Sequence, residues 1–196
     1  MPSLKVIGGK FKGLKLEMLD LPITRPTKAI LKESLFNTLQ NDIVQYGFFE
    51  AFGGSGSVGI EALSRGAIEA TFIEANPQSF EVLKHNLSKL PSTNYRFFLG
   101  DSFTLLPKLL AQSNLPSILY LDPPFCIREN MEDIYQRCFH LVQEISNPLI
   151  QVVIFEYLST LELPKRLGNF CIIKQKKFGK SSLGYYMKED QCQRKK

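Results

Sequence analysis

The stretch Glu50-Ala51-Phe52-Gly53-Gly54-Ser55-Gly56-Ser57-Val58-Gly59 decides the fold. It follows a strand-like run at 46–52 and opens a helix-like stretch at 57–65. Gly54, Gly56 and Gly59 satisfy G-x-G-x-x-G in the strand-to-helix context that the motif requires. Glycines at such a turn let the backbone reverse sharply and approach a ligand closely. Outward from this loop, strand-like runs recur at 70–75, 95–99, 117–121 and 150–157, separated by helix-like stretches at 77–89, 103–112 and 129–142. That alternation implies right-handed βαβ units on a parallel sheet covered on both faces. Two last strand-like stretches, 169–176 and 183–187, are joined by a short Gly/Ser loop, which suits an antiparallel hairpin. The expected fold is α/β, with a mostly parallel seven-stranded sheet ending in that hairpin.

The opening residues read differently. Leu4-Lys5-Val6-Ile7 and Leu14-Lys15-Leu16-Glu17 alternate around Gly8, Gly9 and Gly13, predicting a small hairpin with a lysine rim. Thr27 is placed to cap a helix with Ile30, Leu31, Leu35, Phe36 and Leu39 on its apolar face. Residues 1–26 thus read as a basic hairpin extension and 27–196 as the main body, together one structural domain. The chain has no repeat and no Gly/Ser linker.

Composition narrows the partners. Residues 1–35 carry a balance of +4 and residues 165–196 carry +8, whereas the body between them carries −7. Two basic ends on an acidic body suit a protein whose termini meet a polyanion. No apolar run approaches the roughly 20 residues of a membrane-spanning helix, and Met1–Val6 has no secretory signature. A cytoplasmic location is expected. Cys126, Cys138, Cys171 and Cys192 are widely spaced, so structural thiols are expected, and no metal site. His85 and His140 have no acid–base constellation around them and read as structural. Phe48, Phe49, Phe97 and Phe98 read as core.

Three acids stand at successive strand ends. Glu74 lies twenty residues after Gly54, where a carboxylate can accept from both ribose hydroxyls of a nucleotide-like cofactor. Glu50, just before the glycines, would repel a pyrophosphate at the helix N-terminus. It suits the cationic methionine end of S-adenosylmethionine, and it can alternatively cap the loop. Asp101 can accept from an adenine amino group or cap the helix that begins near Ser102.

Asp122-Pro123-Pro124-Phe125 follows the buried-looking strand Ile118-Leu119-Tyr120-Leu121, at the sheet edge where ligands of such folds bind. An aromatic exocyclic amine is a weak nucleophile because its lone pair is delocalised into the ring. Acceptance of its N–H groups by Asp122 and the Pro123 carbonyl would localise that pair. The prolines fix φ and aim the carbonyl, and Phe125 offers a stacking face for a splayed-out base.

With these segments in line, the chain resembles the RsmD-type bacterial 16S ribosomal RNA guanine-N2 methyltransferases. The resemblance runs from about Val6 to Tyr186. It is carried by Ile7-Gly8-Gly9, Gly13-Leu14-Lys15-Leu16, Arg25-Pro26-Thr27, Leu35-Phe36-Asn37, Phe52-Gly53-Gly54-Ser55-Gly56, Glu61-Ala62-Leu63-Ser64-Arg65-Gly66 and Asp122-Pro123-Pro124-Phe125. It implies the Rossmann-like S-adenosylmethionine-dependent methyltransferase fold and methylation of a guanine N2 in small-subunit ribosomal RNA. It also implies catalytic roles for Asp122, Pro123 and Phe125, and a cofactor site of Glu50, Phe52, Gly54, Ser55, Gly56, Glu74, Asn76, Asp101 and Ser102. The resemblance sets the hairpin and Arg25-Pro26-Thr27 near ribosomal RNA or an assembling small subunit, with Gly179 added to the expected contacts, and Lys10 and Lys12 either touch phosphate or are merely solvated. A monomer is expected. The chain departs from the family pattern where Glu50 replaces Asp, Gly53 replaces Ala, and Ala29-Ile30 replaces an Asp-Arg pair.

Other readings share parts of this pattern. Adenine-N6 methyltransferases of DNA or RNA use the same tetrapeptide, although the DNA enzymes usually carry a sizeable recognition domain. An NAD-dependent oxidoreductase explains the glycine loop but not Asp122–Phe125. A noncatalytic RNA-binding module explains only the basic ends.

Overall fold

Hydrophobic alternation and turn chemistry place each element close to where the sequence puts it. In the computed structural model, residues 3–19, 25–91, 94–124 and 132–189 are described, in two compact units that divide at Ser102/Phe103.

The first unit opens with β1 (Ser3–Lys5) and β2 (Lys15–Glu17), antiparallel with Leu4 opposite Leu16. Leu4, Val6 and Leu16 are buried while Lys5 and Lys15 stay exposed, as the alternation requires. Helix α1 (Arg25–Leu39) starts two residues before the expected cap, so Thr27 lies inside its first turn. Proline tolerates the first helical turn, since its fixed φ is already helical and its missing N–H has no partner to lose there. Leu31, Leu35, Phe36 and Leu39 are buried, whereas Ile30, expected on the same face, is 58% exposed. Ile30 sits about 100° around the helix from Leu31 and falls outside the buried stripe. A 3-10 segment, Gln40–Gln45, leads into the sheet.

Strands β3 (Gly47–Glu50), β4 (Glu69–Glu74) and β5 (Tyr95–Leu99) are parallel, with β4 between the other two. Helices α2 (Ser57–Ser64) and α3 (Pro77–Ser88) connect them. Every residue of β3 is buried, Phe48 and Phe49 included. Phe97 and Phe98 are only half-buried and are not core as expected, because β5 pairs on one side within this unit.

The second unit contains α4 (Ser102–Ala111, starting at the boundary), β6 (Ser117–Leu121), α5 (Glu132–Gln143) and β7 (Ile150–Leu158). Then come β8 (Arg166–Leu167), β9 (Phe170–Phe178) and β10 (Ser181–Lys188). β6 and β7 are parallel, and β10 runs antiparallel to both β7 and β9. The closing hairpin is therefore present, with its second strand inserted beside β7. The strand total differs from the expected seven by β8, a two-residue strand antiparallel to β9 that is too short to leave a periodic signal. Phe155 packs edge-on against Phe139 of α5 and Tyr186 of β10, at centroid separations of 5.6 and 5.7 Å. Among the described residues, no helix is long and apolar enough to cross a membrane, and no cluster of His, Cys, Asp and Glu could hold a metal ion.

Candidate active site

The glycine loop after β3 is held by carboxylates. Glu50, 4% exposed, accepts the Gly59 N–H through Oε2 at 2.8 Å, supplying the α2 N-terminus with a cap that Gly56 cannot provide. A Cβ on Gly59 would lie 2.3 Å from the Phe72 ring and 2.9 Å from Glu50 Oε2. Glu74 accepts from Gly54 N at 2.6 Å and from Asn76 N at 2.7 Å, one bond to each oxygen. Gly56 has φ +74°, and a Cβ there would meet the Leu83 side chain at 2.4 Å. A Cβ on Gly54 would meet nothing within 4 Å, so this face of the loop is open.

The remaining expected cofactor residues divide by role. Phe52 and Ser55 are half-buried in the loop. The Asn76 side chain accepts from Gln78 N and Ser79 N at 2.9 and 3.0 Å, so it caps α3. Asp101 is exposed, whereas Ser102 is buried with its hydroxyl donating to the Ala51 carbonyl, which braces the loop from behind.

The first unit also contains a charged centre most of whose residues fall in segments that carry the resemblance, although their convergence is not written in any one of them. Glu61 is fully buried on α2, where it accepts from Ile7 N, Gly8 N and Arg65 Nε at 2.8 Å each and from Lys32 Nζ at 3.3 Å. Burial pushes the Lys32 ammonium below its ordinary value, and the Glu61 carboxylate opposes that shift. Ser64, one turn on, accepts from Phe11 N and donates to Gly8 O. Asn86 of α3 bonds Glu17 N and O and also the Ser55 carbonyl, tying β2 to the glycine loop. The hairpin is thus fastened to both helices that flank the loop. Of the expected RNA contacts, Lys10 and Lys12 are exposed on this hairpin, with Lys10 over the Phe11 ring at 4.8 Å. Arg25, Pro26 and Thr27 stand in the first turn of α1, and their side chains lie outside the described set.

In the second unit, Asp122, Pro123 and Pro124 follow the wholly buried strand β6. Asp122 is half-buried, Pro123 buried and Pro124 exposed. Phe125, the expected stacking face, lies outside the described residues. Leu121 pairs with Phe155, so Asp122 comes alongside Glu156 of β7. Glu156 is 4% exposed and accepts the Tyr120 hydroxyl at 2.5 Å. Its signal in the sequence was a lone carboxylate in the apolar run Val152-Val153-Ile154-Phe155. Gly179, at φ +64°, makes the exposed turn between β9 and β10, next to the exposed Lys177 and Lys180, with the exposed Lys174 further back along β9.

Comparison with known proteins places the chain in a family. The family model described as conserved hypothetical protein 95 matches residues 4–187. Ribosomal RNA small subunit methyltransferase D of Escherichia coli strain K12 is 39% identical over 124 residues, which is 63% of this chain. That match spans 61% of the relative's own length, less than two thirds of it. YlbH of Bacillus subtilis, described as an rRNA methyltransferase, is 26% identical over 189 residues, 94% of this chain and 99% of that one. Among solved structures, yhhF of Escherichia coli, described as a methyltransferase, aligns with a TM-score of 0.78 at 28% identity, covering 96% of this chain and 99% of that chain. A family match that takes in the hairpin, the glycine loop and Asp122-Pro123-Pro124-Phe125 has one reading: the chain belongs to the conserved hypothetical protein 95 family, the RsmD-type family.

Proposed function

We propose that the chain transfers a methyl group from S-adenosylmethionine to the exocyclic N2 amine of a guanine in small-subunit ribosomal RNA. The observation that carries this reading is Asp122-Pro123-Pro124 at the carboxyl end of a buried parallel strand. That is the chemistry needed to accept an aromatic amine's N–H groups, at the sheet edge where ligands of this fold bind. S-adenosylmethionine, when bound, supplies an electrophilic methyl group on a sulfonium. Asp122 and the Pro123 carbonyl orient the amine and localise its lone pair, and the transfer depends on this positioning more than on a strong base.

The first unit's residues fit that cofactor. Gly54 gives its N–H to Glu74, and the acids Glu50, Glu74 and Asp101 surround the loop, a poor cradle for pyrophosphate. The same acids suit ribose hydroxyls and a cationic methionine end. Glu74 retains lone pairs for the ribose, and Phe52, Ser55 and Gly56 shape the rest. Glu50, Asn76 and Ser102 act chiefly by holding the loop, as their bonds to Gly59, the α3 N-terminus and Ala51 indicate.

The hairpin of residues 1–26 extends the methyltransferase body of 27–196 toward RNA. Lys10, Lys12, Arg25, Pro26 and Thr27 in the first unit and Gly179 in the second are the RNA-contact residues, and the protein acts as a cytoplasmic monomer on ribosomal RNA or an assembling subunit. Methyl transfer from labelled S-adenosylmethionine to unmodified small subunits and to their extracted RNA, followed by nucleoside analysis, tests the reading. Label in N2-methylguanosine is the expected result. Label in N6-methyladenosine removes guanine as target, and no label in either RNA form removes the activity.

A further inference from the structure

Glu17 ends the hairpin strand β2, and one side chain of α3 takes both its backbone N–H and its C=O. Asn86, fully buried, accepts from Glu17 N through Oδ1 at 2.8 Å and donates to Glu17 O through Nδ2 at 2.9 Å. The amide closes Glu17 as the peptide group of a neighbouring strand would. Its remaining donor position goes to the Ser55 carbonyl at 2.9 Å, and its remaining acceptor position to Lys89 Nζ at 3.3 Å. A side-chain amide has two N–H donors and one oxygen with two lone pairs, so Asn86 is saturated.

Ser55 lies between Gly54 and Gly56, at φ +52° and +74°. Glycine imposes little backbone preference on either side, so the direction of the Ser55 carbonyl is set by what it bonds. The turn's other bonds come from within it and from β4: Gly56 N donates to Gly53 O, and Gly54 N to Glu74, both at 2.6 Å. A second side chain repeats the hairpin connection. Lys32 Nζ donates to Lys5 O of β1 at 3.2 Å and to Ser57 O, just after the turn, at 3.5 Å. The hairpin itself has two strands of three residues each, and a two-stranded sheet alone is marginal in water. Hairpin and loop therefore share the bonds that order them. A ligand that orders one leaves less conformational entropy for the ligand of the other to remove.

We infer that Asn86 is a positioning residue through which the hairpin and the glycine loop order each other, so that RNA and S-adenosylmethionine bind with positive coupling. The inference rests on the function proposed above, which sets the cofactor on this loop and RNA on this hairpin. Such coupling is reciprocal: the factor by which RNA tightens the cofactor is the factor by which the cofactor tightens RNA.

The test uses the full chain with S-adenosylhomocysteine as the probe, which has no methyl group to transfer and leaves the RNA unmodified. Calorimetry gives its Kd with and without unmodified small-subunit RNA. RNA is expected to lower the wild-type Kd about five- to tenfold. Asn86→Asp keeps the acceptor for Glu17 N and Lys89 but sets an oxygen where the Ser55 carbonyl needs a donor. It is expected to raise the Kd of the free protein about two- to tenfold, the scale of one hydrogen bond, and RNA should no longer change it. In methyl transfer the same variant should raise KM for S-adenosylmethionine more than it lowers kcat. Hydrogen exchange on wild-type protein needs no variant to fold: S-adenosylhomocysteine alone should slow exchange of the Glu17 amide. A wild-type Kd unmoved by RNA, wild-type coupling in Asn86→Asp, or unaltered Glu17 exchange overturns the inference. Failure of wild-type protein to methylate either RNA form overturns instead the function on which it rests.

Discussion

The strand-end acids of the two units are satisfied in different ways. In the first unit Glu50 and Glu74 accept backbone N–H groups, from Gly59 in one case and from Gly54 and Asn76 in the other. In the second unit Glu156 accepts from the phenol of Tyr120. A backbone amide is present whatever residue stands there, so an acid bound to it fixes the shape of a turn. A side-chain partner depends on which residue stands there, so an acid bound to it ties two particular positions together. The first arrangement makes a rigid loop; the second joins two neighbouring strands through their side chains.

Substitutions should separate these roles. Asp122→Ala is expected to lower methyl transfer about a thousandfold, the scale of losing an electrostatic catalytic contact, with S-adenosylmethionine binding retained in calorimetry. Loss of binding in that variant would erase the distinction between the units. Glu61→Ala should act on stability, because it leaves Lys32 as a buried charge without its carboxylate partner and deprives Ile7 and Gly8 of their acceptor. Breaking a buried pair costs about 3–5 kcal/mol, which denaturant unfolding would register, and an unchanged midpoint would show that the centre can relax.

Gly59→Ala should be milder, about 1–3 kcal/mol for overpacking against Phe72. Its signature is weakened cofactor affinity beside a nearly wild-type rate at saturating cofactor. A rate loss without an affinity loss would place the α2 N-terminus in the chemistry.

The smallest effect concerns pH. Burial pushes the Cys138 thiol from 9.0 up to about 12. Above pH 9 the unfolded chain releases a proton that the folded chain retains, so stability is full below pH 9 and declines as pH rises toward 12. Tyr135 and Tyr186 are also raised from 10.0 and add to the decline above pH 10. Urea midpoints between pH 8 and 10.5 should fall, and less steeply in Cys138→Ala. Equal slopes for both proteins would remove the thiol from this account.

Much of the fold was legible because its signals are local. The boundaries of β5 and β6 agree with the sequence reading, and those of α2 and α3 agree to within one residue, because periodicity and caps such as Asn76 act within a few residues. Arg25 at the start of α1 went unrecognised because proline reads as a breaker, although it suits a first turn. β8 was missed because two residues carry no period.

The candidate site can be read from the sequence where its chemistry is written in consecutive residues, as in Gly53–Gly56 and Asp122–Pro124. It was obscure where distant residues share one atom. Nothing adjacent to Glu61 announces that Ile7, Gly8 and Lys32 converge on it. Ser102 and Asn76, read as ligand residues, also have structural bonds: the Ser102 hydroxyl braces Ala51, which no local pattern announces, and the Asn76 side chain caps α3.

The bond between Glu61 and the Ile7–Gly8 backbone has a consequence for how the chain can be cut. The opening segment behaves as a stopper over a charged hole in α2, and Gly9 fits so tightly that a Cβ there would lie 1.9 Å from the Ser64 carbonyl. A chain trimmed to begin at its first helix would lose the four lysines of that segment and also uncork a carboxylate two positions after Gly59. The segment that reads as an appendage is a part of the foundation.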